Sequence, residues 1–140
     1  MTMLPDKPRR GFLLAISMLL VSAVSVGLGQ TAGEPEKEKI VHVIIDYGDG
    51  VQKHFTRLAW KPGMTVLEAL KAAAKHPRGI QIKYRGRGAT AFVTQIDDLE
   101  NQGRGRNWLY RVNKKLADRG CGAFPLKSGD TVLWRFGEYE

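Results

Sequence analysis

Hydrophobic positions along the chain fall into three regimes: one unbroken apolar run, several stretches alternating with period two, and one segment with helical spacing. The unbroken run is Phe12 to Leu28, seventeen residues without a charge, in which Ser17, Ser22 and Ser25 are the clearly polar side chains. Lys7, Arg9 and Arg10 precede it, giving the charged start and apolar core of an export signal. Its length lies where a long signal core overlaps a short spanning helix, which needs about 17 to 25 residues. Residues 1–33 are therefore expected to be a signal peptide or an N-terminal membrane anchor. Gly27 with Gly29, or Thr31 with Gly33, would supply small residues for cleavage. Cut or uncut, the basic start stays inside and the domain that follows is expected to be extracytoplasmic: periplasmic, secreted or anchored. Glu34 to Lys39 alternates charges around Pro35 and has nothing to bury, so 34–39 reads as a solvated linker and 40–140 as the folded domain.

Within that domain, Ile40 to Tyr47 and Val51 to Leu58 are β-rich runs around Gly48-Asp49-Gly50, a three-residue hairpin loop in which Gly50 supplies the left-handed position. Pairing residues whose numbers sum to 98 sets Val43 opposite Phe55 and Tyr47 opposite Val51 on one face. His42, Ile44 and Asp46 then face Thr56, His54 and Gln52 on the other. After Lys61-Pro62-Gly63, Thr65 and Glu68 have the spacing of a capping box, which starts a helix. Val66, Leu67, Leu70, Ala73 and Ala74 form its apolar stripe, and His76-Pro77 ends it. Further strands are predicted at Ile80 to Tyr84, Ala91 to Ile96, Trp108 to Val112 and Thr131 to Phe136, the last two with strict alternation. A hairpin, a helix on its apolar face and then more strands predict an α+β domain, β-grasp-like, with a mixed sheet of about five or six strands packed on one helix.

Charge and cysteine narrow the picture. The chain has 22 Lys and Arg against 14 Asp and Glu, and setting aside Asp6, Lys7, Arg9 and Arg10 leaves 19 against 13. A basic domain meets polyanions faster without selecting among them, and solubilisation alone also accounts for such a balance. The single cysteine, Cys121, excludes an intrachain disulfide. Arg9-Arg10-Gly11-Phe12-Leu13 has the core of a twin-arginine signal, which leaves both that route and the general secretory route open.

Four stretches in order resemble a known family: Pro62-Gly63-Met64-Thr65-Val66-Leu67-Glu68-Ala69-Leu70, Phe92-Val93-Thr94-Gln95-Ile96, Trp108-Leu109-Tyr110-Arg111-Val112-Asn113, and Leu126-Lys127-Ser128-Gly129-Asp130-Thr131-Val132-Leu133-Trp134. Together they look like the motifs of the transcobalamin C-terminal-like domain, over about Ile40 to Tyr139. The resemblance implies a β-grasp-type fold related to soluble-ligand-binding modules. In the animal carriers this domain forms half of a cobalamin site. Their other half is a large helical barrel that 140 residues cannot contain, so cobalamin binding does not carry over by itself. The family shows Gly after the asparagine at one hairpin tip where this chain has Asn113-Lys114; Lys114 resists φ > 0, and a differently shaped tip is expected.

Candidate chemistry follows from the same residues. Trp108, Tyr110 and Trp134, with Asn113, are the candidates for a ligand surface; strand periodicity equally suits Trp108, Tyr110, Trp134 and Phe136 as core, and a ligand role falls on whichever ring is exposed. Arg85 and Arg87, then Arg104 and Arg106, stand between glycines and offer guanidinium forks to phosphate, sulfate or carboxylate. His42, His54 and Asp46 share a strand face but lack a third fixed ligand, so they read as surface groups and no metal site is expected. No Ser-His-Asp, Cys-His, paired-carboxylate or phosphate-loop arrangement is present. The expected function is an exported, non-enzymatic, cofactor-free module that binds a soluble ligand, a corrinoid-related one included, or an envelope protein. The alternative is an envelope adaptor gripping an anionic polymer through its arginine-glycine loops. Salt sensitivity separates the two, and nucleic acid is not an expected partner of an exported chain.

Overall fold

A computed structural model describes residues Glu38–Tyr139; the expected leader and most of the expected linker lie outside the described residues. Eight strands and one α-helix follow in chain order: β1 Ile40–Asp46, β2 Gln52–Ala59, α1 Val66–Ala74, β3 Ile82–Arg85, β4 Phe92–Ile96, β5 Leu99–Glu100, β6 Asn107–Val112, β7 Lys115–Leu116 and β8 Thr131–Gly137. Five of the strands form a sheet in the order β2-β1-β8-β6-β7, mixed because β1 and β8 run parallel, and β3-β4-β5 form a second, antiparallel sheet.

The expected single sheet of five or six strands on one helix is thus corrected: the described residues are mostly β, in two sheets, with one helix. The division has a local cause. Asp97-Asp98 turns the chain back tightly, pairing Ile96 with Leu99, so β4 is flanked by β3 and a two-residue β5 and forms no ladder with β6. Asp97 takes φ +53° in this turn, a left-handed conformation that aspartate tolerates better than most residues.

The β1–β2 register follows the 98 sum from Val43–Phe55 to Asp46–Gln52 and then slips by one at a bulge, where Val41 faces Leu58. His42 is therefore not set against Thr56 as a regular hairpin would require. Val41, Val43 and Ile45 of β1, Val132, Trp134 and Phe136 of β8, and Trp108, Tyr110 and Val112 of β6 point to one face and are buried there. The helix lies against β1 and β2 on that face with Val66, Leu67, Ala69, Leu70 and Ala73 inward. Burial of Leu70 alone contributes about 1.5–3 kcal/mol.

The capping box forms as the spacing predicts: Glu68 N–H donates to Thr65 Oγ1 and Thr65 N–H to Glu68 Oε2. The first-turn amides of Val66 and Leu67 donate to Phe124 and Cys121 carbonyls, so the 121–126 segment is fixed across the helix start. This strap buries Cys121, and desolvation raises its thiol pKa.

The β6–β7 hairpin corrects the expectation of an altered tip. Asn113 and Lys114 form a two-residue turn with φ +50° and +75°, the shape that Asn-Gly would give. Asn113 is locked there by Asp130 Oδ1 and by the Thr131 amide, so strain falls on Lys114. Lys114→Gly is expected to stabilise the domain by about 0.5–1 kcal/mol, seen as a higher denaturant midpoint at unchanged slope. A lowered midpoint would show that Lys114 makes a compensating contact.

Candidate functional site

A groove of about 180 Å³ opens between the facing edges of β4 and β6. Ala91, Phe92 and Val93 form one wall; Trp108, Leu109 and Tyr110, with Leu116 and Ala117 of the β7 hairpin, form the other. Gly120, Cys121, Trp134, Arg119 and Tyr139 also line it.

What holds the groove at this width is the side chain of Asn101. Its Nδ2 donates to the Val93 carbonyl of β4 at 2.8 Å, and its Oδ1 accepts the Trp108 amide of β6 at 2.8 Å. One carboxamide thereby stands in for the missing ladder between two strands. Trp108 reinforces the junction by donating its indole N–H to the Leu99 carbonyl at 2.8 Å. On the other side of the groove the Ala117 amide donates to the Tyr110 carbonyl, and Tyr110 Oη donates to the Arg119 carbonyl at 2.6 Å. Burial, with a smaller effect of Cys121, pushes the Tyr110 phenol upward, which keeps it a neutral donor.

Two features distinguish this groove from a seam between packed sheets. Phe92, Leu116 and Tyr139 all line it while remaining 48%, 39% and 73% exposed, so much of the exposed bulky apolar surface gathers at one place. Trp134, 2% exposed and part of the lining, has a buried indole N–H with no hydrogen-bond partner. A buried donor left unpaired costs about 1–3 kcal/mol, and an acceptor reaching it would recover that cost.

The sequence candidates divide accordingly. Trp108, Tyr110 and Trp134 meet at this groove, but as its buried framework: Tyr110 and Trp134 stack with centroids 5.0 Å apart, and Trp108 packs on Phe136 at 5.2 Å. Their rings do not form an exposed ligand surface. Asn113 is absent from the groove and serves its own hairpin. The exposed Phe92 and Leu116 were not singled out from sequence, although Phe92 is an aromatic on the solvent side of an alternating strand, which is the available signal.

The four arginines are not brought together. Arg85 stacks on Phe92 at 5.2 Å, and Arg87 lies beside the helix start with Thr65, Glu68 and Lys71. Arg104 is exposed in its loop. Arg106 is partly buried, with Nη2 donating to the Tyr47 and Phe136 carbonyls at 3.4 Å and its guanidinium 4.8 Å over the Phe136 ring. His54 bonds to Gln52, and among the described residues no three His, Cys, Asp or Glu side chains gather as metal ligands would. Among the same residues no helix is long and apolar enough to cross a membrane.

Comparison with known proteins gives a family and a fold. Over its full length, a crystallised protein from Ruminococcus gnavus, described as a candidate metal binding protein, superposes on 74% of this chain with a TM-score of 0.59 at 15% identity. At that identity the likeness is one of fold alone. No curated protein matches the chain. The model of a domain of unknown function, DUF4430, matches residues 63–138, which include α1, both walls of the groove and β8. The chain therefore belongs to the DUF4430 family.

Proposed function

We propose that the protein is an exported, non-enzymatic binding module that receives a soluble ligand in the groove between β4 and β6. The observation that carries this reading is the gathering of exposed Phe92, Leu116 and Tyr139 around one apolar cleft whose lining includes Trp134, a residue with an unpartnered, buried indole N–H. Such a cleft suits a ligand with a flat or branched apolar body and one hydrogen-bond acceptor. The ordered resemblance to the transcobalamin C-terminal-like domain supports a corrinoid as the first ligand to try, and Arg9-Arg10 before the apolar run supports export. A metal-binding role like the one described for the Ruminococcus gnavus protein draws no support from the described residues of this chain.

The experiment is equilibrium binding of the full chain to cyanocobalamin and to the apolar dye 8-anilinonaphthalene-1-sulfonate, compared with a Phe92→Ser/Leu116→Ser variant. Because both side chains are exposed, stability should change by less than about 1 kcal/mol. Affinity should fall at least about tenfold, the effect of losing one or two well-packed apolar contacts. Equal binding by both proteins would remove the groove from consideration. Dye binding without cyanocobalamin binding would retain the groove and eliminate the corrinoid.

A further inference from the structure

Strand β6 pairs with β8 along its whole length but with β7 only at Arg111 and Val112. In an antiparallel strand the N–H and C=O of one residue point to the same side, and those of the next residue point to the other. The Trp108 amide donates to Asn101 Oδ1 and the Tyr110 carbonyl accepts from the Ala117 amide, so both residues direct their main chain away from β8, toward the groove between β4 and β6. Their remaining groups, the Trp108 carbonyl and the Tyr110 amide, have no hydrogen-bond partner among the described residues, and Ala117 is not a register partner of Tyr110.

This opening has a cause in the chain path. After Ala117 the chain leaves the sheet edge, because the Arg119 carbonyl accepts from Tyr110 Oη and the Cys121 carbonyl from the Leu67 amide at the helix start. Asn101 covers one end of the β6 edge and Ala117 the other. Between them one carbonyl and one amide stay open.

We propose that this edge recognises a single residue of an extended peptide, whose N–H donates to the Trp108 carbonyl and whose C=O accepts from the Tyr110 amide. The pairing is that of a parallel β-bridge opposite Leu109, the smallest form of strand addition to an open sheet edge. The inference rests on the groove being the ligand site, and it names the class of ligand. A main-chain N–H without a partner at a buried residue is rare, and Tyr110 is buried. A peptide residue supplies the acceptor for it and the donor for Trp108 together.

The surroundings narrow the choice. Because the flanking Trp108 amide and Tyr110 carbonyl are already bonded, recognition spans one residue and leaves no place for a long added strand. Phe92 and Leu116 offer apolar contact to the neighbouring side chains of the peptide. Arg119 is the one charged residue among those lining the groove, and its guanidinium is bonded to the Asp118 carboxylate. The site therefore suits an uncharged internal residue rather than a charged chain end.

Nuclear magnetic resonance of the isotopically labelled full chain, titrated with the capped peptide acetyl-Leu-Leu-Leu-methylamide, reads the pairing directly. At saturation the Tyr110 amide proton is expected to move downfield and its hydrogen exchange to slow at least about tenfold, while the Trp108 amide, already bonded to Asn101, changes less. The ester analogue, with every N–H replaced by oxygen, keeps the side chains and carbonyls but sets an oxygen against the Trp108 carbonyl. It should bind at least about tenfold more weakly. Equal affinity for the two, an unchanged Tyr110 amide at saturation, or no binding of the peptide would each overturn the inference. The dye then separates this failure from that of the groove itself: binding weakened in Phe92→Ser/Leu116→Ser keeps the groove as a site for another class of ligand, and equal binding removes it.

Discussion

Replacing Asp97 by Ala should destabilise the domain by about 3 kcal/mol, the range for removing one partner of a partly buried, charge-assisted network. Asp97 accepts from Tyr47 Oη, from the Gln81 amide at 2.9 Å and from Lys53 Nζ at 3.4 Å, so a single carboxylate in the β4–β5 turn ties the small sheet to the β1–β2 hairpin. Tyr47 is buried and edge-on to Trp108 at 5.9 Å, and without Asp97 its hydroxyl loses that acceptor. Burial and the Asp97 hydrogen bond both raise the Tyr47 phenol pKa, so it stays a neutral donor.

The network also dictates a pH dependence. Partial burial alone would raise the Asp97 carboxyl, but hydrogen bonds from Tyr47 and Gln81 and the Lys53 charge outweigh it and hold the carboxyl below its ordinary 3.8. A folded value below the unfolded one gives stability that is complete above about pH 4 and is lost as pH falls through the folded value. Urea unfolding of the unaltered chain and of Asp97→Asn should therefore differ most near neutrality and converge in acid. A gap independent of pH would mean that Asp97 acts by shape and not by charge.

Asn101→Ala is expected to cost about 2–3 kcal/mol, because it removes the partner of two main-chain groups at once, the Val93 carbonyl and the Trp108 amide. Its second consequence separates it from an ordinary core defect. With the carboxamide gone, nothing fixes the spacing of β4 and β6 at that end of the groove. Dye affinity should then fall by more than the lost stability explains, measured where the variant is still fully folded. Asn101→Asp should retain the acceptor for Trp108 while facing the Val93 carbonyl with an oxygen, and should lose most of the same stability. Full stability in both variants would show that the strands are held apart by packing alone.

Much of the fold was readable because it rests on local signals. The β1–β2 hairpin follows from alternation around two turn glycines, the helix start from Thr65 and Glu68, and the inner faces of β6 and β8 from period-two aromatics. The burial of Trp108, Tyr110 and Trp134 was likewise implicit in that period. β5 and β7 are two residues each, too short to show a period, and went unseen. The unequal fates of Arg85, Arg87, Arg104 and Arg106, which share one sequence context, could not be seen either, since each is decided by what packs beside it.

By itself, then, the sequence determined where strands and helix begin and which of their faces turn inward, because burial period and capping depend on residues at most a few positions apart. Whether those strands join in one sheet or two, where a cleft opens between them and what packs beside each arginine were decided by the tertiary structure. Asp97 and Tyr47 are 50 positions apart, and Arg106 reaches carbonyls 59 and 30 positions away. In the sequence Asp97 and Asn101 look like ordinary turn residues; only chain folding gives their polar groups partners on another sheet, where desolvation makes each of those hydrogen bonds count.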